Sequence, residues 1–271
     1  MAFLHLKFAK INLEKIENKK EFLKKLSDNL KRQGMRGSYA ENRKGFYNVE
    51  VFNTFISFYY YKDLPSKVDI LNRSNTDLEE VPFPDRELKR ILVFEEGYIV
   101  YETFRLHKGS FKEIRDRINQ AWSLDNKEQL DVEEIKEFDY HLLKEFYKRA
   151  ERISHLKVIE TGKIKPNPHY PARYIKELVE DYGKFGNSVE FKTRNKKGEN
   201  LKKTEIVDKG FFPISLPLFV AGKEKGDIHF SIHLSGKITS YAPDDTEKKE
   251  QRMEELARRV ISSFERNKAK K

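Results

Sequence analysis

The chain has 271 residues, 36% of them charged, and a formal net charge of +10. Its 20 Phe and 13 Tyr exclude a disordered polar chain, which lacks the aromatics to build a core. The absence of Cys excludes disulfides and thiolate metal sites, and no apolar run reaches the ~18 residues of a membrane span.

The opening MAFLHLKFAKINLEK has too short an apolar run and the wrong flanks for a secretory signal, so a cytoplasmic protein without membrane contact is expected. Abundant Lys and Glu with few Met fit a thermostable protein from a hot-growing source. Charge is unevenly spread: +6 over residues 1–50, −4 over 51–150 and +8 over 151–271. Basic ends of this kind raise the local concentration of polyanions.

In chain order, FLHLKFAKI (3–11) predicts a strand by its alternation. The spacing of Phe22, Leu23, Leu26 and Leu30 predicts a helix over 19–34, stopped by Gly34. Strands are expected at 46–52 and 55–63, and a hairpin at 89–104 turning near Glu96–Gly97. Ser110 caps a helix over 110–122. An Asp131…Glu134 capping box predicts a long helix along Ile135, Phe138, Leu142, Phe146, Ala150 and Ile153.

The second half repeats the opening pattern. ISHLKVIET (153–161) reads as a strand, and a Pro-rich loop leads to a helix from Pro171 through Tyr182. Strands SVEFKTR, DIHFSIHL and KITSYAP follow, then a final helix over 246–266. The fold class expected is α+β: two antiparallel-sheet units with packed helices joined by a long helix. The domains are 1–125, a bridging helix 126–152, and 153–271. The shared His-Leu-Lys of the two opening strands suggests a divergent internal duplication.

Four stretches carry chemistry. Glu190 and Lys192 form an E-x-K pair of the type metal-dependent nucleases place on a strand. The upstream carboxylate is wrong for that, with Asp181 on a predicted helix and Pro84-Asp85 far away, so a solvated strand face explains the pair better and no metal is expected. The same stretch is a basic hairpin, with Lys192, Arg194, Lys196 and Lys197 going out and Lys202 and Lys203 returning. A basic ribbon of this size suits a nucleic-acid backbone; the alternative is a hairpin kept soluble by its lysines.

In HFSIHLS (229–235), alternation puts His229, Ser231, His233 and Ser235 on one strand face. His229 and His233 are candidates for acid and base on a phosphodiester; a half-exposed polar strand is the plainer explanation. In Phe58–Tyr61, one alternating pair should be core and the other is free to stack bases. FFPISLPLF (211–219) is interrupted by two prolines. It is neither a helix nor an ordinary central strand, and suits an edge or a patch for a protein partner or second copy. Phosphate loops, dinucleotide fingerprints and serine elbows are missing, so no cofactor is expected.

The leading expectation is a nucleic-acid-binding protein, for DNA or RNA, without catalysis of its own. It would grip phosphates through the hairpin and the first helix (Lys20, Lys24, Lys25, Lys31, Arg32), extended by Arg36, Arg43 and Lys44. The alternatives are a metal-independent ribonuclease-like phosphodiesterase using the histidine pair, and a protein-assembly subunit.

Overall fold

A computed structural model describes the chain apart from residues 1, 15, 17, 37–43, 72–77, 104–109, 127, 160–187, 194–199, 204–215, 227, 243–244 and 269–271. The fold is α+β with a mostly antiparallel sheet. The chain divides into an N-terminal unit, Lys7–Glu134, and a C-terminal unit made of Met1–Leu6 with Ile135–Lys271. Strand β1 (Ala2–Ile11) contributes residues to both.

In the N-terminal unit, helix α1 (Lys19–Gln33) begins where the Asn18 side chain accepts from the backbone N–H groups of Lys20 and Glu21. It ends at Gly34, whose φ of +49° favours glycine and whose N–H reaches the Leu30 carbonyl at 3.0 Å. Phe22, Leu23, Leu26 and Leu30 are buried as their spacing requires. Strands β2 (Met35–Arg36), β3 (Lys44–Val51), β4 (Phe55–Leu71), β5 (Leu78–Phe94) and β6 (Tyr98–Glu102) pair in succession. The hairpin at Glu95–Gly97 falls where expected, with Gly97 at φ +84°.

Helix α2 (Ser110–Trp122) completes a core in which Phe46 and Phe58 meet edge to face and Phe22 lies 5.4 Å from Trp122. Replacing Asn18 with Ala should cost about 1 kcal/mol, because two backbone donors lose their acceptor. Urea denaturation measures this as a lower midpoint with an unchanged slope.

The long bridging helix expected over 126–152 does not form. Strand β7 (Val132–Glu134) pairs with β1 instead, with Ala9 opposite Glu134, and Glu134 accepts from Lys7 at 2.6 Å and from the Tyr101 hydroxyl at 2.8 Å. These tertiary partners outweigh the capping box. The Phe138 N–H then bonds the Leu234 carbonyl at 2.6 Å. Helix α3 (Tyr140–Arg149) starts only at Asp139, whose carboxylate accepts from the His141 N–H at 2.6 Å.

In the C-terminal unit, six strands lie in the order β1, β12 (Lys237–Ala242), β11 (Ile228–His233), β10 (Leu216–Glu224), β8 (Arg152–Ile159) and β9 (Ser188–Lys192). Every pair among them is antiparallel. Helix α4 (Thr246–Lys268) buries Met253, Leu256 and Val260. Both helices lie against one sheet face: Phe146 of α3 is 5.5 Å from the Phe230 ring, and Arg252 of α4 donates to the Ser240 hydroxyl at 3.1 Å. That face carries Leu156, Val158, Val220, Phe230, Ile232 and Ile238, all buried. The helix expected near 171–182 lies outside the described residues, and among the described helices none is long and apolar enough to cross a membrane.

Two β-bulges interrupt the pairing of β10 with β8. At the first, Pro217 lies opposite Val158 and Phe219 opposite Lys157, so Leu218 is the extra residue. Pro217 therefore stays buried while Phe219 turns to the other face. The stretch expected to be an edge or patch is, over its described residues 216–219, the start of a strand flanked on both sides, and the proline is accommodated at the bulge. At the second bulge, Ala221 lies opposite His155 and Gly222 opposite Ile153, leaving Ser154 as the extra residue.

Candidate nucleic-acid interface

The sheet face opposite α3 and α4 is built by strand alternation, corrected by the two bulges. One row across it follows from register: His5 opposite Thr239, Thr239 opposite Ser231, Ser231 opposite Ala221, Ala221 opposite His155, and His155 opposite Lys192. His5 Nδ1 lies 3.0 Å from the Thr239 hydroxyl. A parallel row runs from Lys237 to His233, Phe219, Lys157 and Glu190. On the other side of the first row lie Phe3 beside Tyr241, then His229, Lys223 and Arg152. Phe3 is 54% exposed and meets the Tyr241 ring edge to face at 5.8 Å.

The basic side chains on this face are Arg152, Lys157, Lys192, Lys223 and Lys237. Glu190 is the one carboxylate among the described strand positions that share it. Glu190 Oε1 is 2.5 Å from His155 Nε2 and 2.9 Å from Lys192 Nζ. Those hydrogen bonds, Lys192's first and His155's second, hold its carboxyl below the usual range.

His155 and His233 flank one phenyl ring. The His155 ring centroid is 4.5 Å from that of Phe219 and the His233 centroid is 4.3 Å from it. Desolvation lowers the pKa of His155, Lys192 and Lys157 add to the effect, and Glu190 opposes it. Desolvation also lowers His233, assisted by Lys237 and by His155. Both imidazoles open on a cleft of about 490 Å³, lined also by Lys136, Glu137, Lys157, Glu190, Leu234 and Ser235.

The residues expected to form a site fall as follows. His229 and His233 share a face as alternation requires, but the cleft joins His233 to His155, while His229 lies 6.2 Å from the Tyr241 ring. Sequence reasoning missed His155. The signal that could have found it is the alternation in ISHLKV, which puts His155 and Lys157 on one face.

In the basic hairpin, Arg194, Lys196 and Lys197 lie outside the described residues. The segment expected to return as a strand is a 3₁₀ turn at Leu201–Lys203. Its Lys202 ammonium donates to the Lys148 and Ala150 carbonyls at 2.7 and 2.9 Å, capping the end of α3. Asn200 pins the turn, accepting from the Ile153 N–H and donating to the Glu151 carbonyl. Lys203 is exposed. Lys192 belongs instead to the edge of the sheet face, paired with Glu190.

On α1, Lys25 pairs with Glu21 and Arg32 with Asp125, while Lys20, Lys24 and Lys31 are exposed. Arg36 and Lys44 are register partners of β2 and β3, and Arg43 lies outside the described residues. Phe58 and Tyr60 enter the core; Tyr59 stacks on Tyr47 at 5.2 Å, and its hydroxyl accepts from Arg90. Asp85 belongs to the N-terminal unit and Asp181 is outside the described residues. Among the described residues no three His, Asp or Glu side chains gather as a metal site.

No protein-family model matches the sequence, and no curated protein is significantly similar to it.

Proposed function

We propose that the protein binds single-stranded nucleic acid, and that the sheet face opposite α3 and α4 is the main contact. The observation that carries this reading is the composition of that face: exposed Phe3 and half-buried Tyr241 and Phe219 stand among imidazoles and five basic side chains, with Glu190 the one carboxylate among its described strand positions. Aromatic rings on a sheet offer platforms on which bases stack, and lysines between them meet the phosphates. A duplex hides its base faces, so a stacking surface selects single strands.

Of the basic hairpin, Lys192 stands on this face beside Glu190, while Lys202 is engaged with the α3 carbonyls. The exposed Lys20, Lys24 and Lys31 of α1 add a separate electrostatic contact.

Labelled single-stranded and duplex DNA and RNA, titrated with protein across a salt series, test the proposal. Single strands should bind more tightly than duplexes of equal length, and affinity should fall steeply with salt. Replacing Phe3 with Ala should weaken single-strand binding by about 1–3 kcal/mol, roughly 5- to 150-fold, with no change in the melting temperature. Replacing Lys223 with Ala should reduce the log–log salt slope by about 0.7. Equal affinity for single strands and duplexes would overturn the stacking reading. No binding at all, together with a fixed oligomer, would favour the assembly subunit instead.

A further inference from the structure

We propose that the cleft between His155 and His233 cleaves RNA without a metal, with the two imidazoles as the proton-transfer pair and Glu190 as a positioning residue. The inference rests on the single-strand binding proposed above and adds a reaction to it.

Three observations carry it. The imidazoles come from β8 and β11 and stand on either side of Phe219, which β10 places between them. Both open on the same cleft, beside Lys157 and Lys136. Their surroundings differ in the carboxylate beside His155. Glu190 Oε1, which Lys192 also contacts, lies 2.5 Å from His155 Nε2; it orients the ring and opposes the desolvation and the Lys192 and Lys157 charges that favour the neutral form. Desolvation beside the Phe219 ring of β10, then the charges of Lys237 on β12 and His155 on β8, favour the neutral form of His233. Glu137 and Lys136, on the segment before α3, complete the charged groups of the cleft.

The chemistry balances without water, metal or redox partner. Neutral His233 takes the proton from a ribose 2′-hydroxyl. The 2′-oxygen forms a bond to the adjacent phosphorus, and the bond from phosphorus to the 5′-oxygen of the next nucleotide breaks. Protonated His155 gives its proton to that leaving oxygen. The products are a 2′,3′-cyclic phosphate and a 5′-hydroxyl end, and the two imidazoles exchange protons with solvent to reset. Lys157 and Lys136 neutralise the charge that builds on the non-bridging phosphate oxygens. A strand without 2′-hydroxyls lacks the nucleophile, so DNA can bind but cannot react.

The test uses the full chain at saturating protein concentration in single-turnover reactions with EDTA, so that differences in affinity drop out. The substrates are a mixed-sequence single-stranded RNA, the same sequence as DNA, and the RNA with one 2′-deoxy nucleotide at the mapped cleavage position. We expect RNA cleavage with cyclic-phosphate and 5′-hydroxyl ends, intact DNA, and protection at the deoxy position. His155→Ala and His233→Ala should each slow the reaction by about 10²–10⁴-fold, whereas His141→Ala, at an exposed position of α3, should react like the parent. Glu190→Gln should shift the pH–rate profile, which a merely structural role would leave in place. Melting curves confirm that each variant is folded.

RNA that binds but stays intact overturns the inference and leaves the binding proposal standing, while failure to bind either nucleic acid overturns both. Loss of cleavage in EDTA, or cleavage that survives His233→Ala, overturns the metal-free pair.

Discussion

Replacing Glu224 with Ala should destabilise the protein by about 3–5 kcal/mol, an effect expected when one member of a buried ion cluster is removed and its partners are left charged. Glu224 ends β10 with its side chain 10% exposed, and it accepts from Arg252 at 2.8 Å and from Arg259. The arginines are 6% and 11% exposed. Without the carboxylate, two guanidinium groups of α4 face each other against the sheet with little water to screen them. Glu255 contacts both arginines but is 51% exposed, so Glu255→Ala should cost less than about 1 kcal/mol. Urea denaturation of the two variants provides the comparison. Equal losses would mean that burial does not control the cluster.

The same cluster gives a pH dependence with a definite sign. Burial alone would raise the pKa of Glu224, but the fields and hydrogen bonds of Arg252 and Arg259 outweigh it and hold the group below its ordinary 4.5. A carboxylate whose folded pKa is depressed stabilises the fold fully above its unfolded pKa and loses that contribution as pH falls through the folded value. The parent should therefore lose stability below about pH 4.5, and Glu224→Gln should show a shallower fall over that range. The two histidines of the cleft act in a neighbouring window. Their folded pKa values lie below 6.5, so protonation favours the unfolded chain, and their contribution shrinks as pH falls from 6.5 toward the folded values.

Much of the architecture was legible in local pattern. The helical stripe of Phe22, Leu26 and Leu30 and that of Met253, Leu256 and Val260 each mark a helix whose apolar side is buried. Alternation in HFSIHL correctly separates His229, Ser231 and His233 from buried Phe230 and Ile232. The failures occur where distant partners decide. Ile135, Phe138 and Leu142 keep helical spacing, yet Glu134 is claimed by Lys7 and Tyr101 and the Phe138 N–H by Leu234. Phe219 follows Pro217 by two residues, so plain alternation would put both on one face; only the bulge at Leu218 turns the ring toward the histidines. His155 and His233 are 78 positions apart in sequence, and only the register of β8, β10 and β11 brings them to one ring. A hydrophobic pattern does not encode that register, because neither a bulge position nor a strand neighbour has a periodicity.

The second bulge yields the other large effect: Gly222→Ala should cost at least about 3 kcal/mol, at the upper end of the range for forced overpacking. A Cβ at Gly222 would lie 2.1 Å from the Arg152 carbonyl oxygen and 3.1 Å from its carbon. Both are backbone atoms, so no side chain can swing away; β8 and β10 must separate or the bulge must move. Moving it has consequences on both faces. With Ser154 as the extra residue, Ile153 is buried toward the helices and Arg152 lies opposite Lys223 on the open face. Without the bulge, Arg152 and Ile153 would exchange faces, placing a guanidinium in the core and an isoleucine on the surface. Gly222→Ala therefore cannot relax into a regular ladder at low cost. Hydrogen exchange should show lost protection concentrated in β8 and β10, while α1 and β4 of the N-terminal unit keep theirs. A variant as stable as the parent, with an unchanged exchange pattern, would show that the close approach at Gly222 is not needed to hold the bulge.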